Sequence, residues 1–196
     1  MIHVRIHPST LLLFALPLCG LLSPAQTAIL WLSALLHEAG HIIAYRLCGG
    51  KFSTVTVLPF GISAQPKEPW KTSAKTEIIC AAWGPAINFI LCAFLFAIPF
   101  FWATSHLFYA LYCNLCLLVI NLLPILPLDG GRMLFYALAR KFDLSICETV
   151  CRRVGWIFLC LLLYPVCYTL FVDKNPSLAI IWGYLTLYNY IQRGSI

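Results

Sequence analysis

Apolar residues collect into six runs along the chain, Ser9 to Leu22, Ala25 to Leu47, Glu77 to Trp102, Leu107 to Leu126, Val154 to Val172 and Ser177 to Ile191. A helix that crosses a bilayer needs about 20 apolar residues, so the four middle runs are long enough and the two outer ones are short. Between the second and third runs the periodicity changes: Ser53, Val55 and Val57 alternate with Thr54 and Thr56, the period of a strand, and Pro59 to Gly61 supply a turn. The pattern predicts an all-α polytopic membrane protein of about six transmembrane helices with a small membrane-associated β-hairpin, whose open edge could accept another strand. Gln65 to Thr76, rich in Pro, Lys and Ser, reads as an exposed link.

Composition strengthens this reading. Of 196 residues, 61% are hydrophobic and only 10% charged, against roughly 45–50% and 25% in soluble domains. Too few polar side chains remain to coat a water-facing globule, so the chain is expected to form a single integral-membrane domain over residues 1–196, with no stretch readable as a CBS or PDZ domain. The first run has a basic flank like a signal peptide, but Pro24 and Ala25 lead straight into the next run, and it is read as a retained span.

The net charge of +6 is a topological signal rather than a nucleic-acid footprint, because Lys and Arg beside spans report orientation. With a cytoplasmic N-terminus and six crossings, Arg5, Arg46, Lys51, Lys67, Lys71, Lys75, Arg132, Arg140, Lys141, Arg152, Arg153 and Arg193 share one side, and Lys174 alone falls on the other. Both ends are therefore expected in the cytoplasm. The ten cysteines lie in apolar runs or beside these basic segments and read as buried hydrophobes or reduced thiols.

Candidate chemistry is concentrated in the second run, where His37-Glu38-Ala39-Gly40-His41 is an H-E-x-x-H sequence. On a helix the two histidines differ by about 40° of rotation and about 6 Å of rise, so both imidazoles can face one zinc ion. Glu38 is turned about 100° from His37, leaving it able to act as general base on water. From the residue counts the pattern is expected by chance about 0.0025 times in this chain. Three ionisable groups within five residues of a span also cost roughly 2.5–3.5 kcal/mol each on the insertion scale, so they need a purpose. A catalytic zinc takes a third protein ligand. Among the seven acidic residues, Glu68, Glu77, Asp143, Glu148 and Asp173 lie in polar or basic surroundings. Asp129 remains, after Pro124 and Pro127, which should interrupt the fourth span, and before Gly130 and Gly131, which would let the backbone bend. That places a carboxylate at the cytoplasmic end of the span, at the depth of His41.

His37-Glu38-x-x-His41, the run Asn121-x-x-Pro-x-x-Pro-x-Asp129-Gly130, and Gly84-Pro85-Ala86-Ile87-Asn88 in the third span together resemble the site-2 protease family of intramembrane zinc metalloproteases. The compact layout, Arg5-Ile6-His7-Pro8 at the start and the lack of a periplasmic PDZ insertion look most like its stage IV sporulation branch, which releases a sigma factor from a membrane-tethered precursor. That branch often carries a CBS domain, which this sequence does not show. The resemblance implies Zn2+ held by His37, His41 and Asp129, with Glu38 activating water. It implies hydrolysis of a peptide bond in or beside the membrane segment of a tethered protein, and a hairpin around Val55 to Ile62 that presents the substrate in extended form, with Val55, Thr56 and Val57 as substrate-binding residues. The implied partners are that substrate, the lipid bilayer and regulatory or inhibitory membrane proteins, with no nucleic acid.

Asn88 and Asn121 can be read two ways, orienting the substrate or bonding a neighbouring helix. His3 and His7 also stand four apart, but Val4, Arg5 and Ile6 alternate and Pro8 disfavours a helix there, so no second metal site is expected. Cys113-Asn114-Leu115-Cys116 lacks a paired motif and reads as packing. The contrasting functional reading is a transporter or metal- and proton-binding protein using the same buried cluster; such proteins commonly carry broken spans in two related halves, and no internal repeat is visible here.

Overall fold

Ser23 fixes the start of the first long helix. Its hydroxyl accepts from Gln26 N at 3.2 Å while Gln26 Oε1 accepts from Ser23 N at 2.9 Å, a reciprocal cap followed by Pro24 in the first turn. The computed structural model describes residues 3–6, 23–50, 52–58, 61–66, 73–98 and 104–191. In chain order these form β1 (His3–Ile6), α1 (Pro24–Leu47), β2 (Phe52–Leu58), β3 (Gly61–Pro66), α2 (Ala74–Phe96), α3 (Ser105–Asn121), α4 (Asp129–Leu138), α5 (Leu144–Phe171) and α6 (Ser177–Ile191). Three of the six helices, α1, α2 and α5, are long and apolar enough to cross a membrane, and α3 is a shorter apolar helix. The predicted first span, Ser9 to Leu22, lies outside the described residues.

The chain divides into two compact units, Met1–Ile120 and Asn121–Ile196. In the first, α1 packs along α2. Gly40 allows close approach, since a β-carbon there would stand 2.7 Å from the main-chain oxygen of Trp83. The strands form one sheet in the order β1-β2-β3, with β3 running alongside α1. β2 and β3 are antiparallel, with Val55 opposite Ala64, Thr56 opposite Ser63 and Val57 opposite Ile62. β1 is parallel to β2, with Val4, Arg5 and Ile6 opposite Val55, Thr56 and Val57.

That order corrects one expectation. Val55, Thr56 and Val57 lie in the central strand, whose main chain is paired on both sides, so they offer no open edge. The edges among the described strands are β1 and β3. The alternating Val4-Arg5-Ile6 stretch supplies the covering strand, and its distance from the hairpin along the chain hid the pairing.

In the second unit, Ile125, Leu159 and Leu185 form a fully buried cluster packed with Leu128, Phe158, Leu162 and Trp182. Trp182 Nε1 donates to Leu159 O at 2.9 Å, and Asn189 Nδ2 to Arg152 O at 3.3 Å, tying α6 to α5. Two boundaries differ from expectation. α5 begins at Leu144 and carries Arg152 and Arg153 within its 28 residues, because the helix continues past the apolar run. Its N-cap is Asp143, which places Ser145 inside the first turn. The short helix α4 carries Leu134, Phe135 and Leu138 and ends before Phe142, although Phe142 continues the same apolar spacing.

Candidate metal centre

The residues of α1 that carry the H-E-x-x-H sequence are helical throughout, so the 3.6-residue repeat stacks His37 and His41 on one face. Their rings are nearly perpendicular, with centroids 4.9 Å apart, and their Nε2 atoms approach to 3.2 Å. Two nitrogen ligands about 2.05 Å from a tetrahedral zinc would be separated by about 3.3 Å. His37 is buried.

The other ring nitrogens decide the chemistry of that approach. His41 Nδ1 lies 2.7 Å from Cys80 O, and a main-chain carbonyl only accepts, so Nδ1 carries the proton. His37 Nδ1 faces Asn88 Oδ1 and donates to it. When both rings are neutral, as zinc ligands must be, the proton of each is committed to Nδ1 and the two Nε2 atoms meet lone pair to lone pair. Such an arrangement is repulsive by itself and is relieved by a cation shared between the rings. Imidazole nitrogens with their second nitrogens anchored to oxygen are the usual donor set of a zinc site, so the residues fit the expected Zn2+.

α2 supplies the wall against which the rings sit. Pro85 lies inside this helix and withholds a hydrogen bond from Ala81 O, while its ring crowds the preceding turn. The neighbouring carbonyl, Cys80 O, is the one that accepts from His41. At Gly84 no side chain is tolerated: a β-carbon would stand 2.3 Å from His41 Nε2 and 2.8 Å from His37 Cε1. Asn88, wholly buried, completes the wall one turn further on. The small-residue segment of the third span therefore forms the seat of the imidazoles, and Asn88 bonds a histidine on the neighbouring helix. Cys80, whose carbonyl holds His41, carried no sequence signal because any residue supplies a carbonyl.

Glu38 is half-buried on the same helix. Asn121 is the last residue of α3. In the second unit, Asp129 is buried and opens α4, where the positive end of the helix dipole favours a carboxylate, and its Oδ1 lies 3.6 Å from Arg132 Nη1. Asp129 thus starts a separate helix instead of ending the fourth span. Gly130 and Gly131 also differ from their expected role as a bend: they occupy the first turn of α4, where β-carbons would stand 2.2 Å from Leu122 O and 2.5 Å from the main chain of Ile125. They permit residues 122–128 to fold back tightly on the helix start.

A family model described as peptidase family M50 matches residues 25–106 and 99–162. Stage IV sporulation protein FB of Bacillus subtilis is 30% identical over 176 residues, covering 87% of this chain and 59% of that protein. A zinc metalloprotease of Methanocaldococcus jannaschii is 28% identical over 168 residues, covering 79% of this chain and 48% of that protein. The chain thus spans about half to three-fifths of the length of these curated relatives. The solved structure of the site-2 protease from M. jannaschii superposes with a TM-score of 0.68 at 22% identity, over 100% of this chain and 92% of that one, and shows a shared fold. With the family match running from α1, which bears the two histidines, through Asp129 and into α5, and with apolar helices long enough to span a bilayer, the chain is an integral membrane protein that belongs to peptidase family M50.

Proposed function

We propose that this chain is an intramembrane zinc endopeptidase that hydrolyses a peptide bond in or beside the membrane segment of a tethered protein. The observation that carries this reading is the convergence of His37 and His41 Nε2 at 3.2 Å with both Nδ1 protons committed elsewhere. Family membership and the zinc metalloprotease of M. jannaschii among the relatives support it. His37, His41 and the buried carboxylate of Asp129 would hold the metal. When bound, Zn2+ supplies Lewis acidity toward a peptide carbonyl and makes water a nucleophile near neutral pH.

The protein side of the reaction falls to Glu38. Its carboxylate takes a proton from water as the hydroxyl adds to the carbonyl carbon, then delivers that proton to the amide nitrogen as the C–N bond breaks. One water is consumed, and one carboxylate and one amine are released. A substrate helix hides its carbonyls in its own hydrogen bonds, so it must unwind locally, and pairing with a strand edge compensates the groups that are freed. We assign that edge to β3 (Gly61–Pro66), which runs alongside α1, since β2 is paired on both sides.

The finer reading is a membrane-tethered precursor of a sporulation sigma factor as substrate, in a bacterial cytoplasmic membrane, with both chain ends cytoplasmic and with regulatory membrane proteins as further partners. Its support is the similarity to stage IV sporulation protein FB. The test is to compare host membranes holding the chain or its Glu38→Gln variant by mass spectrometry. A tethered protein shortened only when Glu38 is present supports the reading, and identical membrane proteomes contradict it.

A further inference from the structure

We propose that Asn114, on α3, is a positioning residue for the metal centre: acting through Asn88, it holds His37 in the tautomer whose Nε2 carries the lone pair. The proposal rests on the reading of His37 as a metal ligand.

The two histidines are anchored differently. His41 Nδ1 faces a main-chain carbonyl, Cys80 O, which cannot change from acceptor to donor. His37 Nδ1 faces a side-chain amide, and an amide turned end over end presents NH2 in place of oxygen. A reversed Asn88 would drive the His37 proton onto Nε2 and close the lone pair. Something must therefore fix the direction of Asn88.

Asn114 does so. Its Nδ2 lies 2.9 Å from Ala110 O and 3.0 Å from Ser33 Oγ. Ala110 O only accepts, so this end of Asn114 must be its NH2 and the other end its oxygen. That oxygen, Oδ1, takes a hydrogen bond from Asn88 Nδ2 at 2.8 Å, which turns Asn88 Oδ1 toward His37. The bonds run in one direction, from His37 to Asn88 to Asn114 to Ala110 O. Reversing either amide would set oxygen against oxygen or donor against donor.

Burial gives the relay its force. Ser33, His37, Asn88 and Asn114 are 4%, 4%, 0% and 3% exposed, so water offers little substitute for a lost partner. Ser33 and His37 are one turn apart on α1. The bonds leave α1 at His37, pass through α2 and α3 and return to α1 at Ser33, a closed polar ring across three helices whose orientation is set by one main-chain carbonyl.

The test is zinc affinity of the purified full chain in detergent, measured by competition with a chelator, together with the cobalt(II) absorption spectrum. Partners behind a metal ligand are typically worth 10–100-fold in affinity. Asn114→Leu, of similar volume, is expected to weaken zinc about tenfold and to alter the cobalt(II) spectrum. In an Asn88→Leu background the same substitution is expected to add nothing, because its only route to the metal is gone. If Asn114→Leu does not yield folded protein, the smaller Asn114→Ala carries the test, with a loss of about tenfold that again vanishes with Asn88→Leu. Unchanged zinc affinity in these variants, or a loss that multiplies with that of Asn88→Leu, overturns the relay alone. Wild-type protein that retains no zinc overturns the metal reading and this proposal with it.

Discussion

Gly84 of α2 lies directly against the ring of His41, so close that a β-carbon would stand 2.3 Å from Nε2. Alanine is the better helix former by about 1 kcal/mol, and by local propensity Gly84→Ala should stabilise α2. It should instead displace both imidazoles, since His37 Cε1 would also be only 2.8 Å away. The expected outcome is a loss of zinc affinity of more than about tenfold with little change in helix content, read by chelator competition and circular dichroism. Wild-type zinc affinity in Gly84→Ala would show that the rings have room to move.

Asn88 separates two roles that its sequence position left open. As the acceptor for His37 Nδ1, it should matter before any substrate is present. Asn88→Leu is expected to weaken zinc about 10–100-fold in substrate-free protein. Intact zinc binding combined with a raised KM would return Asn88 to a substrate-contacting role.

Asp129 is tested by charge removal with little change in shape. Asp129→Asn should lose more than about tenfold in zinc affinity if the carboxylate is a ligand. Asp129 is buried and Arg132, across the 3.6 Å pair, is half-buried, so the substitution also touches stability, and zinc affinity is read on protein whose helix content is checked by circular dichroism. Zinc content and affinity unchanged by Asp129→Asn would point to another ligand.

The strand order makes β2 and β3 respond differently to proline. Thr56 in β2 has neighbours on both sides, so Thr56→Pro breaks a ladder bond whichever way its N–H points and should destabilise the sheet. In β3, the N–H groups of adjacent residues point in opposite directions, so of Ser63→Pro and Ala64→Pro one should spare the pairing with β2. That variant should fold normally yet process substrate at least about tenfold more slowly if pairing at this edge is required. Normal turnover in both variants would remove β3 as the docking edge.

What the sequence disclosed follows the range of the interactions involved. His37 and His41 are related by one turn of one helix, so their shared face was legible from spacing alone. The alternation of Val55 and Val57 was legible for the same reason, whereas the partner that covers β2 comes from His3–Ile6, far away along the chain. Asn114 sits between Cys113 and Cys116 in a stretch that reads as packing, and only the alignment of three helices shows what its amide holds. Helix ends were blurred where capping chemistry, not hydropathy, sets them: Ser23 with Gln26 starts α1, and α5 begins at Leu144, well before its apolar run.

The central claim is a metal-loaded site in which Glu38 moves the proton, and it is tested most directly by measuring bound zinc and cleavage of a membrane-tethered reporter in the same preparations of wild type and Glu38→Gln. Both proteins should retain equal zinc, and only the wild type should cut the reporter, with the variant slower by at least about 100-fold. Cleavage by Glu38→Gln at the wild-type rate, or a wild-type protein that cuts with no zinc bound, would contradict the account.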